Sequence, residues 1–194
     1  MAIKVVTPPA VEPVSTSEAK AHCRVDISDD DTLIGSLIVG ARAYVEAFVN
    51  RAMVTQTLEL VLDRFPMGNT LALPMPPLQS VTSVTYYDES GTGATLSSSQ
   101  YLVDTDSHPG RIVLKDGYTW PSTTLQAANG VRIRFVAGYG LAASVPQMYK
   151  QAILMMVGHY YENREAAVVG SGLVVMELPL AVRNLLWFDR VKRF

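Results

Sequence analysis

Apolar residues recur along this chain with two different periods, and the change from one to the other sets out its architecture. From residue 30 to 50 the spacing is helical. Leu33, Ile34, Leu37, Ile38, Ala41, Tyr44, Val45 and Phe48 fall on one broad stripe, with Arg42, Glu46 and Asn50 off it. A shorter helix is expected before it in STSEAKAHCRV, where Ser15 and Glu18 stand three apart as a capping box. From Met53 to Tyr139 the period falls toward two. TQTLELVL alternates, and VRIRFV directs Val131, Ile133 and Phe135 to a core while Arg132 and Arg134 face out. Gly91, Gly93, Gly110, Gly117 and Gly130 punctuate these runs as hairpin or loop positions. Helical spacing returns after Pro146, a residue suited to a first helical position. Tyr149, Ala152, Ile153, Met156, Val157 and Tyr160 form one stripe, widened by Met148, Leu154, Met155 and Tyr161. A last helix is expected in ELPLAVRNLLWFDRVKRF, with Leu180, Leu185, Leu186 and Val191 buried.

The pattern predicts an α+β protein with a helical core of about four helices and an inserted antiparallel β module. Residues 1–14, with three prolines, read as an extended N-terminal arm. Residues 15–52 and 140–194 form the helical core, and residues 53–139 the β module. Between the last two helices lies AAVVGSGLVVMELP, whose Val168, Val169, Leu173, Val174, Val175 and Met176 surround a Gly-Ser-Gly centre. Connecting segments are normally polar because they face water. This one reads either as a short buried hairpin or as a segment that orders against another subunit.

Composition removes several classes of function. The chain has 194 residues, 48% hydrophobic and 18% charged, which describes a globular protein. A net charge of −2 gives no general attraction to nucleic acid. Cys23 is the only cysteine, so an intrachain disulfide is excluded and a reducing compartment is expected. The N-terminus lacks the apolar core of a signal peptide, and the strongly apolar run Ala152–Val157 is far too short for a membrane span. The chain reads as a soluble intracellular protein.

Candidate chemistry is sparse. Asp29, Asp30 and Asp31 precede the long helix. A calcium loop starting at Asp26 needs glycine sixth and an acid twelfth, where Asp31 and Leu37 stand. The aspartates are therefore expected to start the helix, with Asp29 or Asp30 as its N-cap. His22, His108 and His159 are scattered, and His159 with Glu162 reverses the order of a carboxylate metal site. GTGATLSS lacks a Walker lysine, no G-x-S-x-G elbow occurs, and Cys23 has no evident base. No catalytic residue, metal or cofactor is assigned. Arg132 and Arg134 with Tyr86, Tyr87 and Trp120 fall short of the basic–aromatic interleaving of a single-strand platform.

STSEAKAHCRVDISDDDTLIGSLIVGARAYVEAFVNRAM, PPLQSVTSVTYYDESG, YENREA and ELPLAVRNLLWFDR occur in this order from about Ser15 to Arg190. Together they resemble the head–tail connector, or adaptor, family of long-tailed bacteriophages, in its longer members with an inserted β region. The resemblance implies a non-enzymatic virion protein at the head–tail junction, assembled in the bacterial host cytoplasm. It implies a ring of twelve copies below the portal protein that extends the DNA channel and docks the adjacent stopper or tail protein. Packaged DNA would pass without specific binding, no membrane is involved, and no family catalytic residues carry over. The candidate assembly interface comprises Val168, Val169, Leu173, Val174, Val175 and Met176 with the basic end Arg190, Lys192 and Arg193. A stopper or tail terminator is the neighbouring alternative. A small enzyme or carbohydrate-binding module, stacking sugars on Tyr86, Tyr87, Tyr118 and Trp120, is the distant one.

Overall fold

A computed structural model describes residues 1–163 and 180–191. The fold is α+β, with four helices and two antiparallel sheets among the described residues. The chain divides into two compact units. One holds Met1–Ala10 and Val54–Tyr139; the other holds Val11–Met53 and the described residues from Gly140 onward.

The first unit is all β. Its larger sheet contains β1 (Ala2–Thr7), β2 (Gln56–Leu62), β4 (Leu78–Tyr87), β5 (Gly93–Thr95) and β8 (Val131–Ala137), in the order β1-β2-β8-β4-β5. The smaller contains β3 (Thr70–Ala72), β6 (Tyr101–Asp104) and β7 (Arg111–Leu114), in the order β3-β7-β6. Alternation places Val131, Ile133 and Phe135 of β8 in the core, as the sequence predicts. They lie beside Leu58 and Leu60 of β2 and Val84 of β4 in register. On the opposite face Glu59 receives Arg134 at 3.2 Å and Arg132 at 3.8 Å. Ala2–Thr7, within the proline-rich N-terminal stretch, is an edge strand antiparallel to β2.

Two glycines allow close approaches here. A Cβ on Gly138, whose φ is +124°, would stand 2.4 Å from the Val54 carbonyl oxygen. One on Gly110 would stand 2.4 Å from the Leu78 side chain, where the residue before β7 approaches β4. No other residue type fits either place without moving its neighbours.

The second unit is helical: α1 (Thr16–Cys23), α2 (Asp31–Val49), α3 (Gln147–Glu162) and α4 (Leu180–Trp187). α3 packs against each of the other three. Its Tyr149, Ala152, Ile153, Met156 and Val157 are buried, as the stripe predicts, whereas Tyr160 is exposed. The capping box forms, with Ser15 Oγ accepting from the Glu18 N–H and the Ser15 N–H donating to Glu18 Oε2. Pro146 is the N-cap of α3 rather than its first helical residue, a one-place difference within the usual ambiguity of helix ends.

Three expectations need correction. Asp30 is the N-cap of α2 but its carboxylate makes no cap hydrogen bond; Asp30 Oδ2 instead accepts from the Tyr161 hydroxyl at 2.5 Å. Asp31 pairs with Lys20 at 2.6 Å. Arg42 and Glu46, placed off the apolar stripe by spacing, are buried. Arg42 donates to Glu46 at 2.7 Å and to Glu12 at 2.6 Å, while Glu46 Oε1 accepts the Met53 N–H at 2.8 Å. These bonds offset the loss of hydration that would otherwise exclude the charges. In α4, Val182 and Leu186 are buried and Leu180 is 65% exposed, the reverse of the expected phase at the helix start. By length and composition α2 could cross a membrane; its Ile34, Ile38, Ala41, Val45 and Val49 are buried in this fold.

Candidate assembly surface

Of the predicted interface residues, Val168, Val169, Leu173, Val174, Val175, Met176, Lys192 and Arg193 lie outside the described residues. Arg190 is described. It does not extend the last turn of α4, which ends at Trp187; its guanidinium lies 5.5 Å from the centre of the Phe48 ring.

The segment that carries Arg190 is tied to the end of α2. Arg51 Nη2 donates to Asp189 Oδ1 at 3.0 Å, and Asn50 Nδ2 donates to the Val191 carbonyl at 2.7 Å. The Val191 N–H donates to the Val49 carbonyl at 2.9 Å. The Tyr149 hydroxyl of α3 also donates to Asp189. Asp189 thus gathers Arg51, just past the end of α2, and Tyr149 of α3.

Around this tether runs a connected series of aromatic and arginine side chains. Tyr44 and Phe48 stack on α2 with centroids 6.1 Å apart. Arg183 of α4 lies 5.5 Å from the Trp187 ring. The Tyr44 hydroxyl is pushed up, first by burial and then by nearby Tyr160, while Arg183 opposes the shift. Trp187 is 50% exposed, Phe188 95% and Leu180 65%. Covering one side chain of this size is worth about 1.5–3 kcal/mol, and aromatic residues with arginine are the usual anchors of protein interfaces. Sequence reasoning missed this patch because two helices and the segment after α4 build it. The signal available was the recurrence of Leu180, Arg183 and Trp187 at helical spacing, out of phase with Val182 and Leu186.

The solvent face of α2 is different. Its exposed residues Thr32, Ser36, Val39, Gly40, Ala43 and Ala47 include no charge. The charges of the helix interior, Arg42 and Glu46, point inward.

Other candidate chemistry is occupied within the units. Arg132 and Arg134 pair with Glu59, and Arg132 also lies 5.3 Å from the Tyr87 ring. Trp120 stacks on Phe65 at 4.9 Å and donates to the Gly68 carbonyl at 2.7 Å. Burial, then Glu162, pushes the Cys23 thiol up, away from thiolate reactivity. Among the described residues, no three His, Cys, Asp or Glu side chains are grouped to hold a metal ion.

A family model described as head completion protein matches residues 13–177. No curated protein matches the chain. Solved structures do. A chain from the neck of an empty gene transfer agent particle, computed with C6 symmetry, superposes with a TM-score of 0.80 at 24% identity, covering 100% of this chain and 97% of that one. A chain from the virion of the native gene transfer agent gives 0.78 at 22% identity, with the same coverages of 100% and 97%. A third, from the native neck computed with C12 symmetry, gives 0.74 at 22% identity and again covers 100% and 97%.

Proposed function

This chain belongs to the head completion protein family, and we propose that it serves there as a head–tail connector of the adaptor type. In this reading identical copies form a ring, twelve in number, below the portal. The ring extends the DNA channel and presents a surface to the next stopper or tail protein. The role is structural, without a catalytic step or cofactor, and the site of action is the junction of head and tail in a phage-like particle.

The observation that carries this reading is the family match over residues 13–177. The likeness of the whole chain to proteins in the symmetric neck of gene transfer agent particles supports it. The physical properties agree. Phe188, Trp187 and Leu180 leave apolar area on the helical unit for a partner to cover. A net charge of −2 suits a channel that DNA crosses without adhering.

Within the ring, the helical parts (15–52 and 140–194) serve as the packing body. Residues 168–176 and the basic end Arg190, Lys192 and Arg193 provide contacts to neighbour, portal or tail protein. Imaging of particles carrying labelled protein tests the assignment: density is expected as a ring between portal and tail. Protein confined to the capsid shell or tail tip would overturn it. Deletion of residues 168–176 is expected to leave a folded monomer that joins particles poorly; normal incorporation would remove that segment from the interface.

A further inference from the structure

Among the described residues β1 is one open edge of the larger sheet, and its side chains are poorly matched to solvent. Ile3 and Val5 stand in register with Leu60 and Leu58, which are fully buried, yet they are 42% and 59% exposed. The apolar face of the sheet therefore continues past its own cover. On the opposite face the charges form an ordered row: Lys4 lies across from Glu59, and Glu59 across from Arg134. The signs run plus, minus, plus. A strand added outside β1 would continue both patterns if it placed an acid opposite Lys4 and apolar residues on each side of it.

Resting on the ring reading above, we propose that residues 173–178 of a second copy pair along β1 as an added strand, with Glu177 opposite Lys4. Leu173-Val174-Val175-Met176-Glu177-Leu178 repeats around Glu177 the apolar–acidic–apolar order of Leu58-Glu59-Leu60, the triplet that already pairs with Val5, Lys4 and Ile3. The match holds in either strand direction, because Met176 and Leu178 both flank the acid. Glu177 stands three residues before Leu180, so at roughly 3.3 Å per residue it can lie up to about 10 Å from the start of α4. Val25-Asp26-Ile27 has the same order but is held between α1 and α2, with the Val25 N–H bonded to the Lys20 carbonyl. Main-chain bonds would supply the affinity and the Lys4–Glu177 pair the register. The contact is heterologous, edge of one copy to segment of the next, the type that closes into rings.

The test is a charge exchange in the full-length protein, read as incorporation into particles and as ring formation with portal protein. K4E and E177K are each expected to lower incorporation about tenfold or more, since like charges then meet across the contact. The double variant K4E/E177K is expected to recover it. Mixing the two single variants is also expected to recover it, because alternating copies restore an opposite-charge pair at every contact. A pairing within one chain would not respond to mixing, so failure of the mixture overturns the proposal. So does full incorporation of K4E, which would leave Lys4 as a blocker of edge pairing only. Melting temperatures of the single variants are expected to equal that of the parent protein; a fall exceeding a few degrees in either would attribute its loss to folding, and disulfide trapping of V5C copies with M176C copies (antiparallel) and with L178C copies (parallel) then decides, with absence of an intermolecular bond in both overturning the pairing. Absence of the parent protein from the head–tail junction would instead refute the connector reading itself.

Discussion

Two pairs of glycines behave differently in the two units. In the β unit, Gly110 and Gly138 are required by the chain itself, for a side chain at either place would meet Leu78 or the Val54 carbonyl at 2.4 Å. In the helical unit, Gly35 and Gly40 sit inside α2, and among the described residues nothing lies within 4 Å of where their Cβ atoms would be. Glycine within a helix costs about 0.5–1 kcal/mol relative to alanine. The β unit thus uses Gly110 and Gly138 internally, whereas α2 carries two glycines whose cost brings the folded monomer no packing in return. The same contrast holds for side chains: β8 directs its apolar residues inward, while Leu180, Trp187 and Phe188 leave much of theirs in water.

Substitutions can break this contrast. G138A is expected to have the largest effect, about 2–4 kcal/mol of destabilisation, because positive φ and backbone overlap coincide. Chemical denaturation measures it, and a loss below 1 kcal/mol would mean that the β2–β8 junction relaxes easily. E46A is expected to cost about 2–4 kcal/mol, since it removes one partner of buried Arg42 and the acceptor of the Met53 N–H. G40A is expected to act in the opposite direction, stabilising the monomer by about 0.5–1 kcal/mol, seen as a higher Tm. If G40A also lowers incorporation into particles, the bare face of α2 is used in assembly; unchanged incorporation would leave those glycines without a role.

The smallest effect concerns an exposed turn of the β unit. The Asp104 carboxyl is held at about 2, below its ordinary 3.8, by the Ser107 hydroxyl first and Arg111 next. A depressed carboxyl contributes stability above its unfolded value and loses it as pH falls through the folded one. The change therefore lies between about pH 4 and 2. A carbon-detected NMR titration of Asp104 is expected to show a midpoint near 2. A midpoint at its ordinary value would show that the turn does not hold the carboxylate.

Elements governed by near neighbours were legible in the sequence. The Ser15–Glu18 box depends on four residues, the VRIRFV alternation on six, and both stand as read. The α+β class follows from such local periods. What escaped depended on distant partners. Arg42 and Glu46 look like surface charges until Glu12 and the Met53 N–H are brought to them. Tyr161, far along the chain, takes the Asp30 carboxylate. Two turns of α4 are too short for spacing alone to fix which side is inward, and the segment before it, with Val168 to Met176, lies outside the described residues. The Tyr44, Phe48, Arg183, Trp187 and Arg190 surface draws on two helices and a tail.

Interruption of the helical unit by the β unit has a consequence for synthesis. α1 and α2 leave the ribosome well before α3, the helix against which both pack. At roughly 5–20 residues per second, the nascent chain holds the apolar stripe of α2 without its natural cover for on the order of ten seconds. During that interval the stripe is a ready target for chaperones, and slower translation of the strands would lengthen the exposure.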